Sequence, residues 1–155
     1  MKLKALALVA GALAIGTIGL VNATPVAART ANSQAAKLAP VTGKMHEIKM
    51  MGDAKGYRFE PANLTIKAGD GIKFIMVGNM GPHNVAFEAG KIAAPVRAQL
   101  TANLGTQKMA DLMSSMVMKD GEVITVSFAK IPVGAYAYNC TPHLAMGMKG
   151  IITVQ

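Results

Sequence analysis

The chain has 155 residues, 52% of them hydrophobic, with 16 Lys plus Arg against 8 Asp plus Glu and a formal net charge of +8. That length holds one domain, alone or with a targeting segment, and the apolar share is enough for a real core. The basic balance suits an acidic protein or an anionic membrane; nucleic acid fits worst, because no basic run and no basic patch interleaved with aromatics occurs.

Lys2 and Lys4 open the chain, and Ala5 to Val21 is almost wholly apolar and uncharged. Val21-Asn22-Ala23 and Val26-Ala27-Ala28 both offer small residues in a cleavage-like pattern. This predicts a secretory signal peptide over 1–28, cut after Ala28, with Ala23 the second site. As an anchor the apolar run reaches only the lower edge of a spanning length. The expected location is a bacterial periplasm or an equivalent oxidising space, with no stable membrane association after cleavage. There the single cysteine, Cys140, cannot form an internal disulfide, which leaves a reactive thiol, an intermolecular bridge or a metal ligand.

Residues 29–43 are rich in Ala, Ser, Asn, Gln and Thr and read as a flexible leader to a domain over 44–155. Short extended segments separated by turn residues follow: 45–51, 57–60, 64–66, 72–77 and 83–87. From Glu88 to Met118 the spacing changes. Leu100, Leu104, Met109, Leu112, Met113 and Met116 recur at threes and fours, which predicts one or two short helices interrupted at Gly105, with Met109, Met113 and Met116 packing. Lys119-Asp120-Gly121 reads as a hairpin-type turn. Residues 122–128 alternate, as do 135–140, where Tyr136, Tyr138 and Cys140 share a face. A last strand covers 148–154. Seven to eight strands with a short helical insert make an all-β sandwich.

The chemistry concentrates in Cys140-Thr141-Pro142-His143-Leu144-Ala145-Met146-Gly147-Met148. A thiolate, an imidazole and thioethers in one short loop suit a soft, redox-active metal such as copper. A trigonal blue-copper site needs a second histidine, and His83 in Gly81-Pro82-His83-Asn84-Val85 is the candidate. His46, with no cysteine or acidic cluster beside it in sequence, reads as structural or surface. Either Met146 or Met148 can supply the weak axial thioether.

Pro82-His83-Asn84-Val85, followed at a distance by Tyr138-Asn139-Cys140-Thr141-Pro142-His143, resembles the cupredoxins, the small blue (type 1) copper proteins. The Cys loop is most similar to pseudoazurin, and Gly147-Met148-Lys149-Gly150 before an apolar last strand resembles plastocyanin. The resemblance spans roughly 45–155 and implies a Greek-key sandwich, one copper ion per chain and electron transport without catalysis. The implied ligands are His83, Cys140, His143 and Met148. The amicyanin-like spacing would favour Met146 in the axial place; the pseudoazurin and plastocyanin spacing favours Met148. Asn84 is expected to tie the His83 loop to the Cys loop, and Pro142 to stiffen the latter. His143 is expected to reach the surface as the electron port, in an apolar docking patch of Pro82, Leu144 and Met146, joined by Pro142 and Met80. Lys44, Lys91 and Lys149 are candidates for steering an acidic partner. Expected partners are redox proteins such as c-type cytochromes or copper-containing reductases and oxidases with an acidic docking face, met by a monomer. Two features depart from the resemblance. The chain stops at Gln155, without pseudoazurin's long C-terminal helical extension, and the surface is basic where plant plastocyanins carry an acidic patch.

Rival readings carry less. A copper chaperone or store predicts an open Cu(I) site without a stable blue form. A Cys–His hydrolase lacks an oxyanion-hole signature. A binuclear copper site needs a second cysteine, and methionine is a poor zinc ligand.

Overall fold

The computed structural model describes residues 35–155, so the expected signal peptide, its cleavage sites and the first part of the leader lie outside the described residues. Residues 35–43 carry no strand or helix, yet they are tied to the domain. The Ala39 N–H donates to Asn103 Oδ1 at 3.0 Å, the Gln99 amide to the Lys37 carbonyl at 2.8 Å, and the Thr42 and Gly43 N–H groups to the Gly69 carbonyl.

Strands β1 (Met45–Asp53), β2 (Gly56–Glu60), β4 (Gly71–Val77) and β8 (Val123–Ser127) form one sheet in the order β2-β1-β4-β8. The central pair, β1 and β4, runs parallel; the outer pairs are antiparallel. The second sheet has the order β3-β10-β9-β5-β7-β6, built from β3 (Asn63–Ile66), β5 (Ala86–Phe87), β6 (Lys108–Ala110), β7 (Met113–Ser114), β9 (Gly134–Asn139) and β10 (Lys149–Val154). The period-2 alternation of each long strand decides what meets in the middle. Ile48, Met50, Phe59, Ile72, Phe74, Met76, Ile124 and Val126 from the first sheet and Ile66, Phe87, Tyr136, Tyr138, Ile152 and Val154 from the second are all buried in one core. Side chains of this kind contribute about 1.5–3 kcal/mol each when fully buried. Tyr138 joins the sheets: its ring centroid lies 4.7 Å from that of Phe59 and 5.4 Å from that of Phe74. Its hydroxyl donates to the Ala62 carbonyl at 2.9 Å. Gly150 lies opposite Tyr138 in the sheet, where a Cβ would come within 1.9 Å of the Ala62 oxygen.

The sequence expectations hold for the long strands and the two-sheet sandwich. They fail between Glu88 and Gly121. Among the described residues there are ten strands, not seven or eight, because β6 and β7 occupy part of the expected helical stretch. One α-helix forms, α1 (Ala94–Ala102), with a proline in its first turn and Leu100 buried, followed by a 3₁₀ turn at Gly105–Gln107. Beyond it, Met109, Met113 and Met116 do not line a helix. Met109 and Met116 are 54% and 37% exposed, and Leu112 adopts a left-handed φ of 56°. Tertiary hydrogen bonds win over periodicity here. The Ser114 N–H donates to the Val85 carbonyl and the Ser114 hydroxyl accepts from the Val85 N–H at 3.0 Å. Nor does Lys119-Asp120-Gly121 close a hairpin: it carries the chain from β7 in one sheet to β8 in the other.

Candidate metal centre

Three of the expected ligands converge. Cys140 directly follows β9, continuing the inward-facing row of Tyr136 and Tyr138, and is fully buried. His143 lies three residues on, in a kinked 3₁₀ turn over Thr141–Met146 that Pro142 helps to start. Gly147, at φ 84°, ends the turn in the left-handed conformation that glycine adopts without strain. His83 comes from the connection between β4 and β5, the strand that pairs with β9. It was expected within a strand over 83–87, but it makes only an isolated antiparallel bridge with Val117, and the regular strand β5 starts at Ala86. Cys140 Sγ lies 3.6 Å from His83 Nδ1 and 3.4 Å from His143 Nδ1, and the three donor atoms fall within 4.8 Å of one another.

Met148 is fully buried, while Met146 is 62% exposed. Backbone bonds hold Met148 against the other two donors of its loop: the Cys140 N–H donates to the Met148 carbonyl at 3.0 Å, and the Met148 N–H to the His143 carbonyl at 3.2 Å. Asn84, also fully buried, ties the two donor loops together. Its Oδ1 accepts from the Thr141 N–H at 2.8 Å and its Nδ2 donates to Thr141 Oγ1 at 3.1 Å.

Burial pulls His83 down to about 4, with the neighbouring His143 adding to the shift, and it lowers His143 as well. Both rings are therefore neutral at physiological pH and free to donate a lone pair. Burial pushes the Cys140 thiol up, while the backbone N–H groups of Asn84 and His143 favour its thiolate. The thiol must give up its proton to hold a metal. His83 Nε2 is buried without a hydrogen-bond partner. The donor set fits a soft first-row metal. Sulfur–nitrogen separations of 3.4 and 3.6 Å are short enough for one ion to be held by the sulfur and both rings. Two imidazoles, one thiolate and a thioether suit copper better than zinc.

Two expectations change. His143 is only 6% exposed, because the ring of Tyr57 lies flat against it, with centroids 3.6 Å apart and an interplanar angle of 7°. Tyr57 stands on β2, remote in sequence from every ligand, and nothing in the sequence marks it. Lys44 precedes the end of β1 that pairs with Gly71, whereas Tyr57 pairs with Gly52 at the other end. At about 3.3 Å per residue that puts Lys44 more than 20 Å from the centre. Lys149, next to Met148, is exposed at the site's end, as are Leu144, Met146 and Met80; Pro82 is partly buried and Lys91 is exposed. His46 is structural: its Nε2 pairs with Asp70 Oδ2 at 2.8 Å.

A buried cluster of two histidines and one cysteine at the end of a two-sheet sandwich defines a mononuclear copper protein. The chain belongs to the family of copper binding proteins described as the plastocyanin/azurin family, whose model matches residues 46–155. Its cofactor is copper, and it is plastocyanin-like among the electron-transfer cupredoxins. It is 35% identical over 115 residues to a plastocyanin of Nostoc punctiforme, covering 74% of this chain and 76% of that one. It is 33% identical over 109 residues to a plastocyanin of Scenedesmus fuscus, covering 70% and 97%. Among solved structures, the oxidised form of plastocyanin from Dryopteris crassirhizoma matches with a TM-score of 0.54 and 25% identity, covering 70% of this chain and 99% of that one.

Proposed function

We propose that the protein is an electron carrier, not an enzyme, which works in the periplasm and passes single electrons between redox proteins. His83, Cys140 and His143 would hold the copper, with Met148 as the weaker thioether donor. The observation that carries this reading is the convergence of two imidazole nitrogens and one sulfur, 3.4 and 3.6 Å apart, from loops 57 residues apart in sequence. Copper bound there supplies a Cu(I)/Cu(II) couple.

The chain's own residues do the rest. Cys140 would donate its thiolate, whose charge burial disfavours and the backbone N–H groups of Asn84 and His143 favour. His83 and His143 donate neutral rings, and the Asn84–Thr141 bonds keep the two loops in one relation. Fixed ligands limit how far the site must rearrange when an electron arrives or leaves. Met148 is the thioether that would join them, since it is buried beside Cys140 whereas Met146 faces solvent. The exposed Leu144, Met146 and Met80, with Pro82, supply an apolar face for brief docking over a small area. Lys149 is the steering lysine best placed to meet an acidic face on a cytochrome or a copper oxidoreductase.

The test is to load the protein with copper and record visible and EPR spectra. The expected result is an intense thiolate-to-copper band, bleached reversibly by a mild reductant and absent in Cys140→Ser. A colourless protein that binds only Cu(I) would instead favour copper handling, the reading to which the exposed Met80, Met116, Met118 and Met146 lend weight.

A further inference from the structure

Tyr57 is neither a ligand nor part of the apolar docking face, yet it is the side chain most intimately placed on one. Its ring stacks on His143 at 3.6 Å and 7°, and it meets the edge of His83 at 6.0 Å and 64°. The seat for this ring is built into the opposite strand. Gly52 pairs with Tyr57 across β1 and β2. A Cβ on Gly52 would come within 2.8 Å of Tyr57 Cε1 and within 2.9 Å of both the Cβ and the carbonyl oxygen of Met80. The bare backbone at Gly52 therefore leaves room for Tyr57 to lie over the site.

His143 needs such support. It sits at the kink of a short 3₁₀ turn, with φ −113° and ψ 16°, and its chain neighbours Pro142 and Leu144 are exposed. Without Tyr57 its outer face would meet water. We infer that Tyr57 is a positioning residue for His143: the stacked phenol holds the imidazole in the orientation that turns Nδ1 to Cys140 and seals its outer face from solvent. Its consequence for the metal rests on the copper reading above; its effect on the ring does not.

The test compares Tyr57→Phe, Tyr57→Leu and Gly52→Ala in the whole protein. In the metal-free form, proton NMR should show the His143 ring protons shifted upfield by the overlying ring, with one set of contacts to the Cys140 β protons, in wild type and Tyr57→Phe. Tyr57→Leu keeps bulk but removes the aromatic face, and it should lose the shift and average those contacts. In the copper-loaded form, loss of copper to a chelator should be about three- to tenfold faster in Tyr57→Leu and unchanged in Tyr57→Phe. Should Tyr57→Leu not fold, Gly52→Ala, which displaces the ring without removing it, is expected to change both readouts in the same direction. A folded Tyr57→Leu or Gly52→Ala with wild-type contacts and a wild-type copper-loss rate overturns the inference. If wild type takes up no copper, the copper reading falls while the metal-free comparison still decides the role of Tyr57.

Discussion

Replacing Asn84 by alanine removes both bonds that tie the His83 loop to the Cys140 loop, at 2.8 and 3.1 Å. Each such bond contributes about 1 kcal/mol net, and a donor left without its partner costs up to about 1–3 kcal/mol where water cannot reach it. Thr141 is itself exposed, so its N–H can partly rehydrate. The expected loss is therefore about 2–3 kcal/mol. In a domain of this size that lowers Tm by roughly 8–12 °C. Denaturant unfolding of the metal-free protein measures it, with far-UV circular dichroism to show that the sandwich persists. The copper-loaded variant should bind its metal more weakly and show a changed optical spectrum and potential, because the relation between the two donor loops is no longer fixed. A loss below about 0.5 kcal/mol together with an unchanged spectrum and potential would refute the view that Asn84 holds the site together.

Met148→Gln should alter the EPR parameters and lower the potential, whereas Met146→Gln should leave both as in wild type; the reverse pattern would move the axial ligand to Met146. Gly150→Ala should destabilise the fold by about 3 kcal/mol or more, since its Cβ meets backbone, the Ala62 oxygen, and must also displace the Tyr138 hydroxyl; thermal melts check this. Asp70 accepts from His46 and from the Lys67 and Lys44 N–H groups, and these hold its carboxyl down from 3.8 to about 2. A lowered carboxylate stabilises fully above its unfolded value and loses that contribution as pH falls through its folded one. Wild type should thus lose roughly 2 kcal/mol between about pH 4 and pH 2 that Asp70→Asn does not lose, as read from urea midpoints across that window.

The long strands were legible because burial on one face writes itself as alternation: Ile124, Val126 and Phe128, or Tyr136, Tyr138 and Cys140, can be read directly. The Cys140–His143 pair was legible because both donors lie in one short loop, and His83 because the site lacked a second imidazole. The parallel pairing of β1 with β4 was not legible, since alternation carries no information about which strand lies alongside. The stretch from Lys108 to Met118 is not legible, because methionines spaced at threes and fours look alike whether they line a helix or stand exposed along short strands. What decides that segment is the bonding of Ser114 to Val85 and of Val117 to His83, contacts made only after folding. Tyr57 shows the same limit at the site: its role comes from the pairing of β2 with β1 and from the missing side chain at Gly52.

The chain contains no tryptophan and three tyrosines. Tyr136 and Tyr138 are buried, with their hydroxyls on the carbonyls of Pro132 and Ala62. Tyr57 alone lies against an imidazole of the metal centre. The protein thus carries its own optical probe. Without tryptophan, ultraviolet emission is dominated by tyrosine, and one of the three tyrosines touches the place where copper would be held. Uptake, release and displacement of the metal can be followed by fluorescence in the unlabelled chain, with Tyr57→Phe as the control that removes the emitter nearest the metal and keeps the stack.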